Sequence, residues 1–282
     1  MATTAELRRP GWPRLFAGQV RHHTRLFLRN PIGAVFGVGI PVVFLAIFAG
    51  LYGDEILVDG RWLGPSETSV DGIRYIQYAV PAMAVFSISM IAYVNLATAT
   101  AQERGDGTLK RLRTTPLPTS AHVAGRIGAA MCICATITIA LVVVGTTVYD
   151  FDIIWSQVPA AVVTIVLGTA TSAALAMALV AVVRPGAVQA VAFGTLLPLS
   201  FLSEIFLFGD PLPSALSAIG WLFPLRHFSV SLAATARPDA AALGFAWGHL
   251  AVVVLWGVAG LVIALRWFAC DTSGETRHRP HD

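Results

Sequence analysis

Residues 158–208 read VPAAVVTIVLGTATSAALAMALVAVVRPGAVQAVAFGTLLPLSFLSEIFLF. Over that length the chain carries one cation, Arg184, and one acid, Glu204. Two apolar blocks, 158–183 and 187–208, meet at Arg184-Pro185-Gly186. Each holds the ~20 residues a helix needs to cross ~30 Å of hydrocarbon. Neither alternates with period two, as a barrel strand would, and a helix satisfies its backbone groups within itself. The stretch reads as two membrane-spanning helices joined by a tight hairpin.

Outward from this hairpin the pattern repeats at 33–52, 76–100, 127–149 and 245–268, giving six spans, none with a lysine. Pro41, Pro81 and Pro198 fall inside spans and are read as kinks. The 282 residues are 56% hydrophobic and 12% charged, against about 25% charged in a soluble domain. Mean hydropathy is +0.71. Such a composition excludes a soluble globule, a disordered chain and a short-period repeat. The fold class is an all-α polytopic membrane protein, a single transmembrane domain over 1–282. Residues 1–30 carry six arginines and no apolar core, so insertion is expected to use the first span, uncleaved. Cys132, Cys134 and Cys270 read as small thiols in apolar surroundings, not a disulfide framework.

The net charge is +3, but the cations are dispersed between spans, which argues for membrane orientation over nucleic acid. Segments 1–32, 101–126, 184–186 and 266–282 hold fifteen basic residues; 53–75, 150–157 and 209–244 hold four. The positive-inside rule therefore predicts two cytoplasmic termini in a multi-pass protein of the cell (inner or plasma) membrane.

Three connecting segments are informative. Over 12–29, Trp12, Leu15, Phe16, Val20, Leu26 and Phe27 share one arc and Arg14, Arg21, Arg25 and Arg29 the opposite one. This predicts an interfacial helix on anionic membrane lipids; a basic stop signal is the alternative. Between spans two and three, Gly105 and Gly107 allow a turn out of the membrane helix. Thr108–Arg113 then forms a short helix with Leu109 and Leu112 on one face, ended by Pro116 and Pro118. Two leucines amid four cations suggest a surface for a cytoplasmic partner; a solvated loop is the bland reading. Stretch 211–233 is apolar but broken by proline and Gly220. It reads as a re-entrant helix pair dipping in from outside before the last span, or as a folded external cap.

No phosphate loop G-x-x-x-x-G-K-[ST] is present, since the single lysine, Lys110, follows Leu109. The chain is thus expected to bind no nucleotide of its own. No catalytic or metal-ligating constellation is found: there is no H-E-x-x-H or G-x-S-x-G, and the seven histidines are scattered. Polar groups inside spans are functional candidates. They include Tyr93 and Asn95 in span two and Glu204 near the external end of span five. Glu204 either pairs with Arg226 or His227 or meets cargo. A proton relay would need several acids across the bilayer.

Glu103-x-x-x-Gly107-Thr108-Leu109-x-x-Leu112-x-x-x-Pro116-Leu117 resembles the cytoplasmic signature of type-2 ATP-binding-cassette export permeases. PLPSALSAIGWLFPLRHF (211–228) is similar to their external re-entrant region, with Phe223-Pro224 where many relatives carry Asn-Pro. The order of parts also agrees. The resemblance implies a permease half that dimerises with an identical or homologous half and docks on a dimer of cytosolic ATPases, which hold the ATP and Mg. The coupling segment 103–117 would seat on that ATPase through Leu109 and Leu112, with Arg104, Lys110, Arg111 and Arg113 as a charged rim. The interfacial helix (Trp12, Phe16, Arg21, Arg25) would make a second contact. Spans two and five would line the path. Phe86, Tyr93, Asn95, Phe193, Phe201 and Glu204 are its candidate residues, suited to efflux of an amphipathic drug or lipid. Polysaccharide or glycolipid export is the alternative within the family. An ion-gradient-driven transporter and a membrane enzyme or scaffold are the readings outside it.

Overall fold

Long apolar runs form the long helices here, and shorter polar or proline-bearing segments separate them. The computed structural model describes residues 12–29, 35–52, 56–57, 73–106, 119–206, 212–237 and 244–274. Helix α1 is Trp12–Leu28. A π-helical turn, Val35–Gly39, leads into α2, Ile40–Tyr52. A two-residue antiparallel pair, β1 (Ile56–Leu57) on β2 (Ile73–Arg74), closes the ends of the segment between α2 and the next helix.

That helix, α3, runs Tyr75–Gly105 with a π-helical turn at Met90–Asn95. Then follow α4 (Thr119–Val148), α5 (Val158–Val182) and α6 (Val188–Leu202). Single 3-10 turns, Trp155–Gln157 and Pro185–Ala187, start the last two. Two short helices, α7 (Ser214–Gly220) and α8 (Pro224–Ala234), precede α9 (Trp247–Gly274).

Among the described residues five helices are long and apolar enough to cross a membrane: Tyr75–Gly105, Ala124–Val148, Trp155–Val182, Pro185–Leu202 and Trp247–Arg266. They match five of the six expected blocks. The block at 33–52 carries the shorter apolar helix Ile40–Leu51 among the described residues, preceded by the π-helical turn Val35–Gly39. The boundaries also move. Helix α3 continues past residue 100 to Gly105, and α6 stops at Leu202 although the apolar run continues to Phe208.

The stop in α6 has a local cause. Glu204 adopts φ +59°, the left-handed conformation that costs an L-residue roughly 1–2 kcal/mol. Its N–H donates to the Phe201 carbonyl and the Ile205 N–H to that of Ser200, which is a Schellman cap. Glu204 therefore lies just beyond the helix, not one turn inside it as its place in an unbroken apolar run suggests.

Helix α3 is the centre of the bundle: every residue from Tyr75 to Ala92 is buried. The large side chains Tyr75, Tyr78, Met83 and Ile88 are almost fully enclosed. Around it, α5 and α9 cross closely at small residues. A Cβ on Gly257 would lie 2.7 Å from Thr171 Oγ1, and one on Gly260 3.1 Å from Ala174 carbonyl carbon. Apolar lipid offers no hydrophobic drive between helices, so this close backbone approach supplies the association through dispersion.

Candidate functional site

One shielded ion pair stands at each end of the bundle, in addition to the exposed Arg74–Asp152 pair at 2.7 Å, and two cavities lie between the ends. At the end of α3, Arg126 Nη1 donates to Glu103 Oε2 at 2.8 Å and Nη2 to Oε1 at 3.0 Å. This bidentate geometry is the strong form of the pair. Arg104 Nη1 donates to the Val180 carbonyl at 2.6 Å. Adjacent residues of α3 thus grip α4 and α5, fixing both flanks of the 107–118 segment.

Helix α1 packs on the same end of α4. A Cβ on Gly125 would sit 2.2 Å from Gln19 Cβ, and one on Gly128 2.9 Å from the Phe16 ring. Only glycine lets these two helices approach so closely. His23 is buried with this face, while Arg14, Arg21, Arg25 and Arg29 are exposed.

At the opposite end, Arg226 Nη2 donates to Glu204 Oε1 at 2.8 Å, with side chains 3% and 6% exposed. Arg226 Nη1 donates to the Leu202 carbonyl at 2.9 Å, and the guanidinium lies 4.4 Å from the centre of the Trp221 ring. The Tyr78 hydroxyl donates to the Glu204 carbonyl. Arg226 stands in the first turn of α8, where the helix dipole disfavours a cation. The carboxylate supplies the missing compensation.

Beside it, His227 Nε2 is 2.9 Å from the Trp221 carbonyl and its Nδ1 is 2.8 Å from Nδ1 of His249. A carbonyl can only accept, so Nε2 of His227 carries the proton and, in the neutral ring, Nδ1 accepts from His249 Nδ1–H. Burial lowers the His227 pKa, with the Arg226 charge acting in the same sense and the Trp221 carbonyl opposing.

The first cavity, of about 380 Å³, is lined by aromatic rings of α2, α3, α6 and the turn after it. Phe86, Phe193 and Phe201 all face it. Phe206 is its hub, with ring centroids 4.8 Å from Phe86 and 5.4 Å from both Phe44 and Phe201. Phe44, Phe48 and Phe206 were not singled out from the sequence, since one phenylalanine in a continuous apolar run looks like another.

The second cavity, of about 260 Å³, lies on the other side of α6, bounded by α3, α5, α8 and α9. Tyr93 lines it and is 2.9 Å from Thr195 Oγ1. Spacing explains the division: Phe193, Leu197 and Phe201 recur every fourth residue on one face of α6, and Thr195 and Leu199 on another.

The remaining candidates separate. Asn95 approaches the π turn before α2, where a Cβ on Gly37 would lie 3.4 Å from its Nδ2. Gly107, Thr108, Leu109, Lys110, Arg111, Leu112, Arg113, Pro116 and Leu117, and the side chain of Trp12, lie outside the described residues. Among the described residues no group of three metal-ligating side chains comes together.

A family model described as ABC-2 family transporter protein matches residues 65–266, well over half of the chain. The chain belongs to this ABC-2 family. A search of the curated proteins gives no match. The matched stretch of this ABC-2 transporter protein covers α3 to Arg266 of α9, and so both ion pairs and the second cavity. The family is one of transport permeases, so the ABC-2 chain is a multi-pass membrane subunit of an ABC transporter. Membership implies a cytosolic ABC ATPase as partner.

Proposed function

We propose that this permease half exports an amphipathic, largely apolar cargo, a drug or a lipid, using work done by the partner ATPase. Helix α2 completes six spans, both termini are cytoplasmic, and α7 with α8 forms the re-entrant pair on the external side. The carrying observation is the aromatic cavity: Phe86 and Phe193 come from spans two and five, and among the described residues no polar side chain lines it. A sugar chain needs hydrogen-bonding walls, so this lining favours lipid-like cargo over polysaccharide. The flanking faces of α2 and α6 leave Val43, Ile47, Leu51, Leu197 and Phe201 exposed, which suits a second permease half against the same cavity. On the cytoplasmic side, Leu109 and Leu112 of the coupling segment would anchor the ATPase, and the α1 arginines would meet the ATPase rim or anionic lipid.

The test is purification with the ABC ATPase from its genomic neighbourhood, followed by ATP hydrolysis assays against lipids, drugs and oligosaccharide lipids. Stimulation by apolar amphiphiles, reduced by Phe206→Ala, is expected. Stimulation by oligosaccharide lipids alone would overturn the cargo class. Leu109→Asp with Leu112→Asp should abolish co-purification of the ATPase while the permease still inserts; a retained complex would refute the coupling role. For orientation, Ser66→Cys should be labelled from outside intact cells and Ser273→Cys should not.

A further inference from the structure

The second cavity is chemically unlike the aromatic one. Its walls are mainly aliphatic and aromatic, yet they carry five hydroxyls: Tyr93 and Ser89, one turn apart on α3, Thr195 on α6, and Thr171 and Ser172 on α5, of which Thr171 donates to the Val253 carbonyl at 3.0 Å. The Thr195 hydroxyl has one hydrogen and directs it at the carbonyls of Val191 and Ala192, at 2.9 and 3.0 Å. With that hydrogen on the carbonyls, Tyr93 is the donor in its 2.9 Å contact with Thr195. That leaves the Tyr93 phenol oxygen with its acceptor lone pairs. Ser89, 2% exposed, buries a hydroxyl with no hydrogen-bond partner among the described residues.

Among the described residues none that lines the cavity is charged, so a phosphate headgroup finds no counter-charge from them. At about 260 Å³, the space exceeds the ~150 Å³ at which an apolar cavity takes up benzene. Phe223 and Trp256, stacked at 6.0 Å between ring centroids, stand on its partly exposed side.

We propose that this cavity is a binding site for a neutral, hydroxyl-bearing amphiphile. Its hydrocarbon body lies against Leu175, Leu199 and Phe228, and its hydroxyl hydrogen is accepted by Tyr93. The site is separated from the aromatic cavity by α6, and the inference goes beyond the transport reading, because it holds whatever cargo the permease exports.

The experiment uses the full chain in nanodiscs of phosphatidylethanolamine and phosphatidylglycerol. Three probes carry a mid-chain diazirine: hexadecanol, hexadecane and phosphatidylglycerol. Hexadecanol is expected to label 168–179 and Trp256 saturably, with competition by excess unlabelled hexadecanol. Tyr93→Phe should weaken hexadecanol about fivefold, the effect of one lost neutral hydrogen bond, and leave hexadecane unchanged. Leu175→Trp should abolish the saturable component by filling the space, and the milder Leu199→Phe should reduce it if the tryptophan variant folds poorly. Labelling that rises without saturation, or that persists in both filled variants, overturns the site. Saturable labelling by the phosphatidylglycerol probe, or an equal effect of Tyr93→Phe on alcohol and alkane, overturns the proposed ligand chemistry. Because the readout is binding, a negative result here is distinct from failure of ATP-driven export.

Discussion

Glu204 and Arg226, 22 positions apart in sequence, form an ion pair at 2.8 Å with both side chains more than nine-tenths buried. The pair joins the end of α6 to the first turn of α8, and Glu204 holds a left-handed backbone to make it. Glycine would fill that backbone position without strain but would leave Arg226 unpaired.

Glu204→Gln should lower the stability of the detergent-solubilised protein by about 3–5 kcal/mol, since it leaves a buried cation without its counter-charge. Glu204→Gly should also destabilise, despite relieving the backbone. Glu204→Gln combined with Arg226→Met should recover a large part of the loss. Thermal or denaturant unfolding of the wild type, Glu204→Gln, Arg226→Met and the double variant measures the coupling, and additive losses would show that the pair does not act as a unit.

The Glu103–Arg126 pair makes a second cycle. Its side chains are 20% and 8% exposed, so either neutral variant should cost less, about 1.5–3 kcal/mol for hydrogen bonds to a charged group. The exchange Glu103→Arg with Arg126→Glu should restore much of it. Unfolding midpoints are the readout.

Gly168 of α5 faces the ring of Phe228 in α8, and a Cβ there would lie 2.3 Å from ring atoms. Gly168→Ala should therefore destabilise by about 1–3 kcal/mol, the usual penalty of overpacking. Phe228→Leu in the same chain should relieve it. A stable single variant, seen in the same unfolding assay, would mean that α8 moves away from α5 at little cost.

The His227 environment predicts a pH dependence. Its pKa is lowered on folding, chiefly by burial, so the unfolded chain binds more protons and stability rises with pH. That contribution is complete above the unfolded histidine pKa of about 6.5 and is lost as pH falls through the lower folded value. The unfolding midpoint should drop on acidification below neutrality, and His227→Gln should flatten that part of the profile. His249, the Trp221 carbonyl and Arg226 are the groups facing the ring, so the comparison is best made at fixed ionic strength.

Much of the architecture was legible in the chain. Apolar blocks longer than a bilayer is thick, separated by short polar segments, specify helices at 76–100, 127–149, 158–183, 187–208 and 245–268, because no other backbone form satisfies itself in hydrocarbon. The same reading left open whether Glu204 pairs with Arg226, pairs with His227 or meets cargo. The structure gives the carboxylate to Arg226 and turns His227 to Trp221 and His249. Phe86, Phe193 and Phe201 were legible as candidates and share one cavity, but Phe206, which joins them, was not. A helix that is apolar all round has no pattern to say which side faces its neighbours. The composition of the spans thus determined that there would be membrane helices and where most of them lie. Packing of small residues between helices and the Schellman cap at Glu204 decided which faces meet, where α6 ends and which side chains share a cavity.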